Sequence, residues 1–222
     1  MRRAVKSLAA LAAVASLAAC TTIEPARLGD DTAARLHGQT VAVVIQEPAP
    51  FGAMKASDVP LGPVGLALMG QQGESLRKAA HIGDPADDIA TSLADVLAGR
   101  HEAVILPTRG RARDEAVQTS IAAAPPEARY VLAVGTLSWA IARIPLPNQP
   151  YQVNYLARAR LIDVRTGAVV AEGGCLQGPD GTEVQSTNYA AFTADNAALT
   201  KTELAARVDR CLHFIRRDML GV

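Results

Sequence analysis

Few residues of this chain are suited to chemistry, and they are scattered. Adjacent Asp87 and Asp88 have the composition of a general acid and base pair. They also follow Asp84 and Pro85 at the start of an apolar-periodic segment, where acids complement the positive end of a helix dipole without any reaction. Capping is the simpler reading. His37, His81, His101 and His213 have no second ligand at metal spacing, so they read as surface or helix-end residues. No G-x-S-x-G, phosphate-loop or H-E-x-x-H pattern occurs. Arg109, Arg111 and Arg113 could hold an anion or a lipid headgroup, but Asp114 and Glu115 dilute the charge, and a solvated loop explains them equally. No catalytic residue, metal or cofactor is expected.

The N-terminus carries clearer information. Arg2, Arg3 and Lys6 precede Leu8–Ala19, which is uncharged and mostly Ala and Leu. A charged start and a short apolar run form an export signal, too short to span a bilayer as a mature helix. The run closes with Leu17, Ala18, Ala19 and Cys20, which resembles the lipobox of bacterial lipoproteins. Small residues before the cysteine admit a peptidase, and the thiol takes the lipid. The resemblance implies cleavage after Ala19 and a diacylglyceryl, palmitoylated Cys20 that anchors the chain to a membrane without a transmembrane helix. Thr21, where the enterobacterial inner-membrane retention signal has Asp, implies the periplasmic face of the outer membrane. Residues 20–38 then read as a lipidated tether.

Removing residues 1–19 takes away three basic residues, so Lys+Arg falls from 22 to 19 against 22 Asp+Glu. A slightly acidic domain argues against non-specific nucleic-acid binding. The remaining 203 of 222 residues suit one domain, 39–222. With 4% aromatics, Ala, Val and Leu must do most of its packing.

With Cys20 lipidated, Cys175 and Cys211 remain. In an oxidising compartment an even remainder favours a disulfide; two buried thiols are the alternative. Cys175 ends an expected strand and Cys211 lies in the expected last helix. A bridge between them would close a loop contributing roughly 3–4 kcal/mol on the chain-entropy account.

These residues need elements to place them. Val41–Ile45 and Ala103–Leu106 are short, β-branched or apolar runs, each stopped by proline, and read as strands buried on both faces. Asp31–Leu36 reads as a short helix. Residues 47–85 form an insertion rich in glycine and proline. Within it Pro63 opens a helix to about Ala80 that contains Gly65, Gly70 and Gly73, each costing ~1 kcal/mol relative to Ala. Glycine there implies close approach to another surface. Pro63, Val64, Leu66, Leu68 and Met69 are therefore candidate membrane-proximal or partner-binding residues; a loosely packed cover over the core is the plainer alternative. Ile89, Leu93, Val96 and Leu97 make an amphipathic stripe on the helix begun at Asp84.

Residues 113–123 read as a further helix, ended by Pro125 and Pro126. Tyr130–Ile144, Tyr151–Val164 and Ala168–Leu176 read as a three-stranded meander, turning at Asp163–Gly167. Trp139 and Tyr130 belong to its core; Tyr151 and Tyr155 read as core or as the flanks of a groove. Gln152, Asn154, Arg158 and Arg160 alternate on the second strand and imply a wetter face. A last helix runs from a Thr200–Glu203 capping box to about Leu220. The order β-α-β-α-β-β-β-α implies an α/β domain: a two-layer mixed sheet of about five strands with helices packed on it.

Ile82–Ala86 with the helix after it, and the strand and turn Leu161–Gly167, resemble poorly characterised Gram-negative outer-membrane lipoproteins of mixed α/β fold. The resemblance implies an envelope role and carries over no functional residue. The expected function is a non-catalytic interaction or assembly module with an envelope protein partner. The alternative is an accessory lipoprotein of a transport system that binds a small or lipidic ligand.

Overall fold

The computed structural model describes residues 23–55, 63–143, 150–177 and 188–222. The expected signal segment, Cys20 and Thr21 lie outside them, as do residues 56–62 of the insertion, the 144–149 connection and most of the 177–187 loop.

Strands β1 (Thr40–Gln46), β2 (Gly52–Ala53), β3 (Val104–Ala112), β4 (Tyr130–Arg143), β5 (Tyr151–Asp163) and β6 (Ala168–Gln177) form one mixed sheet. Its order is β3-β1-β4-β5-β6, with β2 beside β4. β1 runs parallel to both β3 and β4, and β4, β5 and β6 form an antiparallel meander. The mixed α/β architecture is the expected one, enlarged by the two-residue β2. The helices are α1 (Asp30–Leu36), α2 (Pro63–Ala79), α3 (Ala86–His101), α4 (Val117–Ala122) and α5 (Tyr189–Ile215).

β1 is central and apolar because both its faces are covered. Val41, Val43 and Ile45 meet the core under α3 and α5, while Val44 joins Val131, Ala133 and Ile162 beneath Val117 and Ile121 of α4. Burying each such side chain contributes about 1.5–3 kcal/mol. In β4 the helix-facing residues begin at even positions, Tyr130, Leu132 and Val134. A register shift between Thr136 and Ser138 leaves Leu137 as an extra residue, and from there Trp139 and Ile141 join the same core. The bulge resets the two-residue alternation so that one long strand keeps a single face inward.

Several expectations need correction. The second strand does not stop at Pro107; β3 runs through it to Ala112 and includes Arg109 and Arg111. β3 is a sheet edge, and its register with β1 jumps from Val41↔Ile105 to Val43↔Arg109, so Pro107 falls where no ladder N–H is required. The expected 113–123 helix shortens to α4. Asp114 Oδ1 accepts from the Ala116 N–H (3.0 Å), which makes residues 114–116 a turn rather than a first helical turn.

Thr200 does not cap the last helix. Asn188 does, its side chain accepting from the Ala191 N–H, and the helix is broken at Ala194–Ala197. Asp195, Asn196 and Ala197 have φ of 49°, 57° and 55°, a left-handed turn that costs non-glycine residues roughly 1–2 kcal/mol each. Buried Phe192 and Ala197 hold it, with the Thr200 hydroxyl donating to the Phe192 carbonyl across the break (2.7 Å).

The expected tether ends early. Ala26 makes an antiparallel bridge to Glu172 at the free edge of β6, the Leu28 N–H donates to the Met219 carbonyl, and Leu28 and Leu36 are buried. The wetter face expected on β5 is polar but covered. Arg158 and Arg160 are only 7% and 8% exposed. Arg158 pairs with Glu115 (2.9 Å) and Glu172 (3.3 Å), and Arg160 donates to the Glu115 carbonyl, so the 114–116 turn closes over them. At the other end of the meander Arg129 clamps Asp163, whose carboxylate also accepts from the Arg165 and Thr166 N–H groups. These donors hold the Asp163 carboxyl down to about 2 and tie the β5–β6 turn to the start of β4.

The described part of the insertion is seated rather than loose. Phe51 is buried against Trp139 in an edge-to-face contact, and the Trp139 indole N–H donates to the Ala49 carbonyl (2.6 Å). Gly73 of α2 lies so close that a Cβ there would sit 1.9 Å from the Phe51 carbonyl oxygen. Glu74 accepts from the Phe51 N–H (2.8 Å), and Arg77 beside it orients the carboxylate. Gly73→Ala should therefore destabilise the domain by about 1–3 kcal/mol through overpacking. Gly70→Ala meets nothing within 4 Å and should instead stabilise it by up to ~1 kcal/mol through helix propensity. Urea unfolding of the two variants measures the contrast; equal effects would mean that α2 does not rest on Phe51.

Candidate functional site

Two regions gather unusual chemistry. The first is the start of α3. Asp84 Oδ1 accepts from the Ala86 N–H (3.1 Å) and from the Thr136 hydroxyl (2.6 Å). Thr136 Oγ1 in turn lies 3.1 Å from the buried Tyr155 hydroxyl. The expected N-cap is shifted: Pro85 takes that position without a side-chain cap, and Asp84, one residue further out, accepts from the Ala86 N–H as a turn. Its second oxygen, Oδ2, is buried with no hydrogen-bond partner. Burial pushes the Asp84 carboxyl above its ordinary range, against the pull of the two hydrogen bonds, and burial also pushes the Tyr155 phenol up.

Beside Asp84 a cleft of about 640 Å³ opens between α3 and α5, lined by Asp87, Asp88, Lys201, Leu204, Val208 and Asp209 among others. Asp87 is met by Arg109 (3.6 Å) and Arg111 (3.5 Å) from the β3 edge. Of the three arginines read as a loop, Arg109 and Arg111 are thus strand residues that face a carboxylate, and Arg113 lies in the bend after β3. Tyr155 is core, and Tyr151 stacks edge-to-face on Tyr189 (5.6 Å). Among the described residues no group of three or more His, Cys, Asp or Glu side chains is placed to hold a metal ion. Ser75 and Lys78 have S-x-x-K spacing on α2, but the Ser75 hydroxyl donates to the Gln71 carbonyl (2.9 Å) and both residues are solvent-exposed.

The second region is the N-terminal tip of α2. Val64 and Leu66 are 62% and 59% exposed, two of the few large apolar side chains that reach solvent, and Pro63 is exposed beside them. Leu68 and Met69 are half-buried; the Met69 side chain packs against Gly52, next to Ala140. The five residues singled out by sequence therefore divide. Pro63, Val64 and Leu66 form the free tip, and Met69 is part of the seat.

Cys175 and Cys211 are brought together. Their Cα atoms are 5.2 Å apart and their sulfurs lie at disulfide distance, joining β6 to α5. Cys20 lies outside the described residues. Sequence reasoning missed Leu176, which is 73% exposed beside buried Cys175. It also missed the Asp84–Thr136–Tyr155 chain. Nothing local marks either, because both follow from the register of β4, β5 and β6.

No protein-family model matches the chain, and no curated protein sequence does. Solved structures similar to it at low identity are bacterial proteins, among them the lipoproteins GNA1162 and LpoB. The PelC dodecamer from Paraburkholderia phytofirmans is 20% identical, over 81% of this chain and 94% of that one, with a TM-score of 0.28. Lipoprotein GNA1162 from Neisseria meningitidis is 11% identical over 76% and 99%, with a TM-score of 0.21. The C-terminal domain of LpoB from Salmonella enterica is 14% identical over 62% and 83%, with a TM-score of 0.21.

The raised Asp84 carboxyl has a stability consequence. A folded state that holds a proton more tightly than the unfolded chain loses stability as pH rises above the ordinary carboxylate value of 3.8. Asp84→Asn removes that slope while keeping an acceptor for Ala86 and Thr136. Between about pH 4 and about pH 7 the stability of the variant should therefore improve relative to the parent, as read by urea unfolding at each pH. A gap independent of pH would show that Asp84 is not the titrating group.

Proposed function

We propose that the chain is a lipid-anchored envelope lipoprotein that acts by contact rather than catalysis. The lipobox supports the anchor, and among the described residues no helix is long and apolar enough to cross a membrane. The observation that carries the contact reading is the α2 tip. Val64 and Leu66 stand in solvent on a helix whose next turns are fastened to Phe51 and Gly52, so the tip is an apolar knob on a rigid base. Exposed apolar groups on a fixed element are what a protein partner buries. The partner in this reading is another envelope protein, and the outer membrane is the proposed location.

The cleft beside Asp84 supports a second reading, a small-ligand carrier, because its volume lies in the range of ligand sites at ~300–1,000 Å³. Its carboxylates fit a small cationic ligand better than a lipidic one.

Two outcomes are expected. Cys20→Ser should abolish acylation, seen by intact-mass analysis, and move the domain to the soluble fraction. A variant that stays with membranes through a carbonate wash would overturn the anchor. Val64→Gln with Leu66→Gln should leave unfolding within about 0.5 kcal/mol of the parent, as exposed substitutions do. The pair should also remove a stoichiometric protein partner from in-cell crosslinking of native membranes. Capture of the same partner by the double variant would locate the contact elsewhere.

A further inference from the structure

The bridge between Ala26 and Glu172 gives the N-terminal segment a direction. It is antiparallel, so the chain traced back from Ala26 towards Ile23 advances along β6 from Glu172 towards Leu176. The contact at Gly174 confirms the direction, since a Cβ there would strike the Ile23 side chain. Cys20 is three residues before Ile23 and at most about 10 Å from it along an extended chain. β5 alone, at 13 residues, is about 43 Å long. An acyl group on Cys20 therefore begins at one corner of the sheet and cannot reach the opposite end.

That corner differs from the rest of the surface. Cys175 faces α5, so Gly174 and Leu176 lie on the other face of the sheet. Leu176 is opposite Leu156 on β5, and Ile23 covers Gly174 beside them. Ile23, Leu156 and Leu176 thus form an apolar corner, with Leu176 largely in solvent. At the same end of the sheet, but on its α5-covered face, lie the Tyr151–Tyr189 pair, Lys55 over the Tyr189 ring (5.8 Å) and Arg143 at the end of β4. Rings and cations at this end of the sheet, on the face opposite the apolar corner, are suited to the headgroup region of a bilayer, where a ring has one apolar and one wet side.

We propose that this corner of the sheet, Ile23 with Leu156 and Leu176, rests on the lipid bilayer that holds the anchor. The proposal depends on the lipid-anchor reading and adds the orientation of the domain to it. The Met69 contact beside Ala140 places α2 at the same end of the sheet, so a partner gripped by Val64 and Leu66 works close to the membrane.

The test uses the acylated full chain in vesicles of phosphatidylethanolamine and phosphatidylglycerol with brominated acyl chains. Leu176→Trp places an indole at the corner, and Val104→Trp places one at the exposed start of β3, away from it. Buried Trp139 supplies the same background emission in both. The indole at position 176 should lose emission to the brominated lipid while the one at 104 keeps it. Equal quenching at both positions, or none at 176 in protein that floats with the vesicles, overturns the orientation and leaves the anchor standing. Protein that carries no lipid and does not float overturns both. A crosslink from position 176 to a protein in native membranes, with no quenching in vesicles, would assign the corner to a protein partner instead.

Discussion

Strand β4 pairs with β1 and β2 on one side and β5 on the other, so the direction in which its side chains point sets both layers of the domain. Fourteen residues of unbroken alternation would send Trp139 and Ile141 to the face opposite Tyr130, Leu132 and Val134. The extra residue at Leu137 prevents that, and one face of β4 stays apolar from end to end. Trp139 can then close over Phe51, which in turn receives α2. Thr136, just before the bulge, remains on the helix side, where it reaches both Asp84 and Tyr155. The seating of α2 and the polar chain at the start of α3 both follow from one inserted residue.

The two sheet edges are handled differently. At β3 the edge is blunted by Pro107 and by Arg109 and Arg111, which turn to Asp87 on α3. At β6 the edge is covered by the chain's own residues, through the bridge at Ala26 and Ile23 lying on Gly174. The segment that protects this edge from pairing with another chain is also the one that leads back to Cys20. The same few residues thus protect the edge and fix the direction in which the chain leaves the sheet towards its N-terminus.

The interior carries more charge than its composition implies. Arg158 and Arg160 are held by Glu115 and Glu172, and a buried guanidinium left without such partners would be strongly destabilising. Asp84 is different, because one of its oxygens has no partner and burial raises its carboxyl. The α2 tip and Leu176, by contrast, carry large apolar side chains in solvent.

Much of this was legible in the residues themselves. The β-branched run Val41–Ile45, the acids after Asp84 and the turn at Asp163–Gly167 are local patterns whose physics is complete within a few residues, and parity in an oxidising compartment sufficed to pair Cys175 with Cys211. Tertiary structure decided what depends on neighbours distant in sequence. Pro107 is tolerated in a strand only because that strand is an edge with a register jump. The left-handed turn at Asp195–Ala197 persists only because Phe192 and Ala197 are buried and Thr200 bridges them. The alternating arginines of β5 pointed to a wet face, and only the turn carrying Glu115 made it a buried one. Leu176 looks like any strand leucine until the register puts Cys175 inward and leaves its neighbour in solvent. Local propensity acts over one turn or one strand, whereas burial is set by which strands meet and in what register.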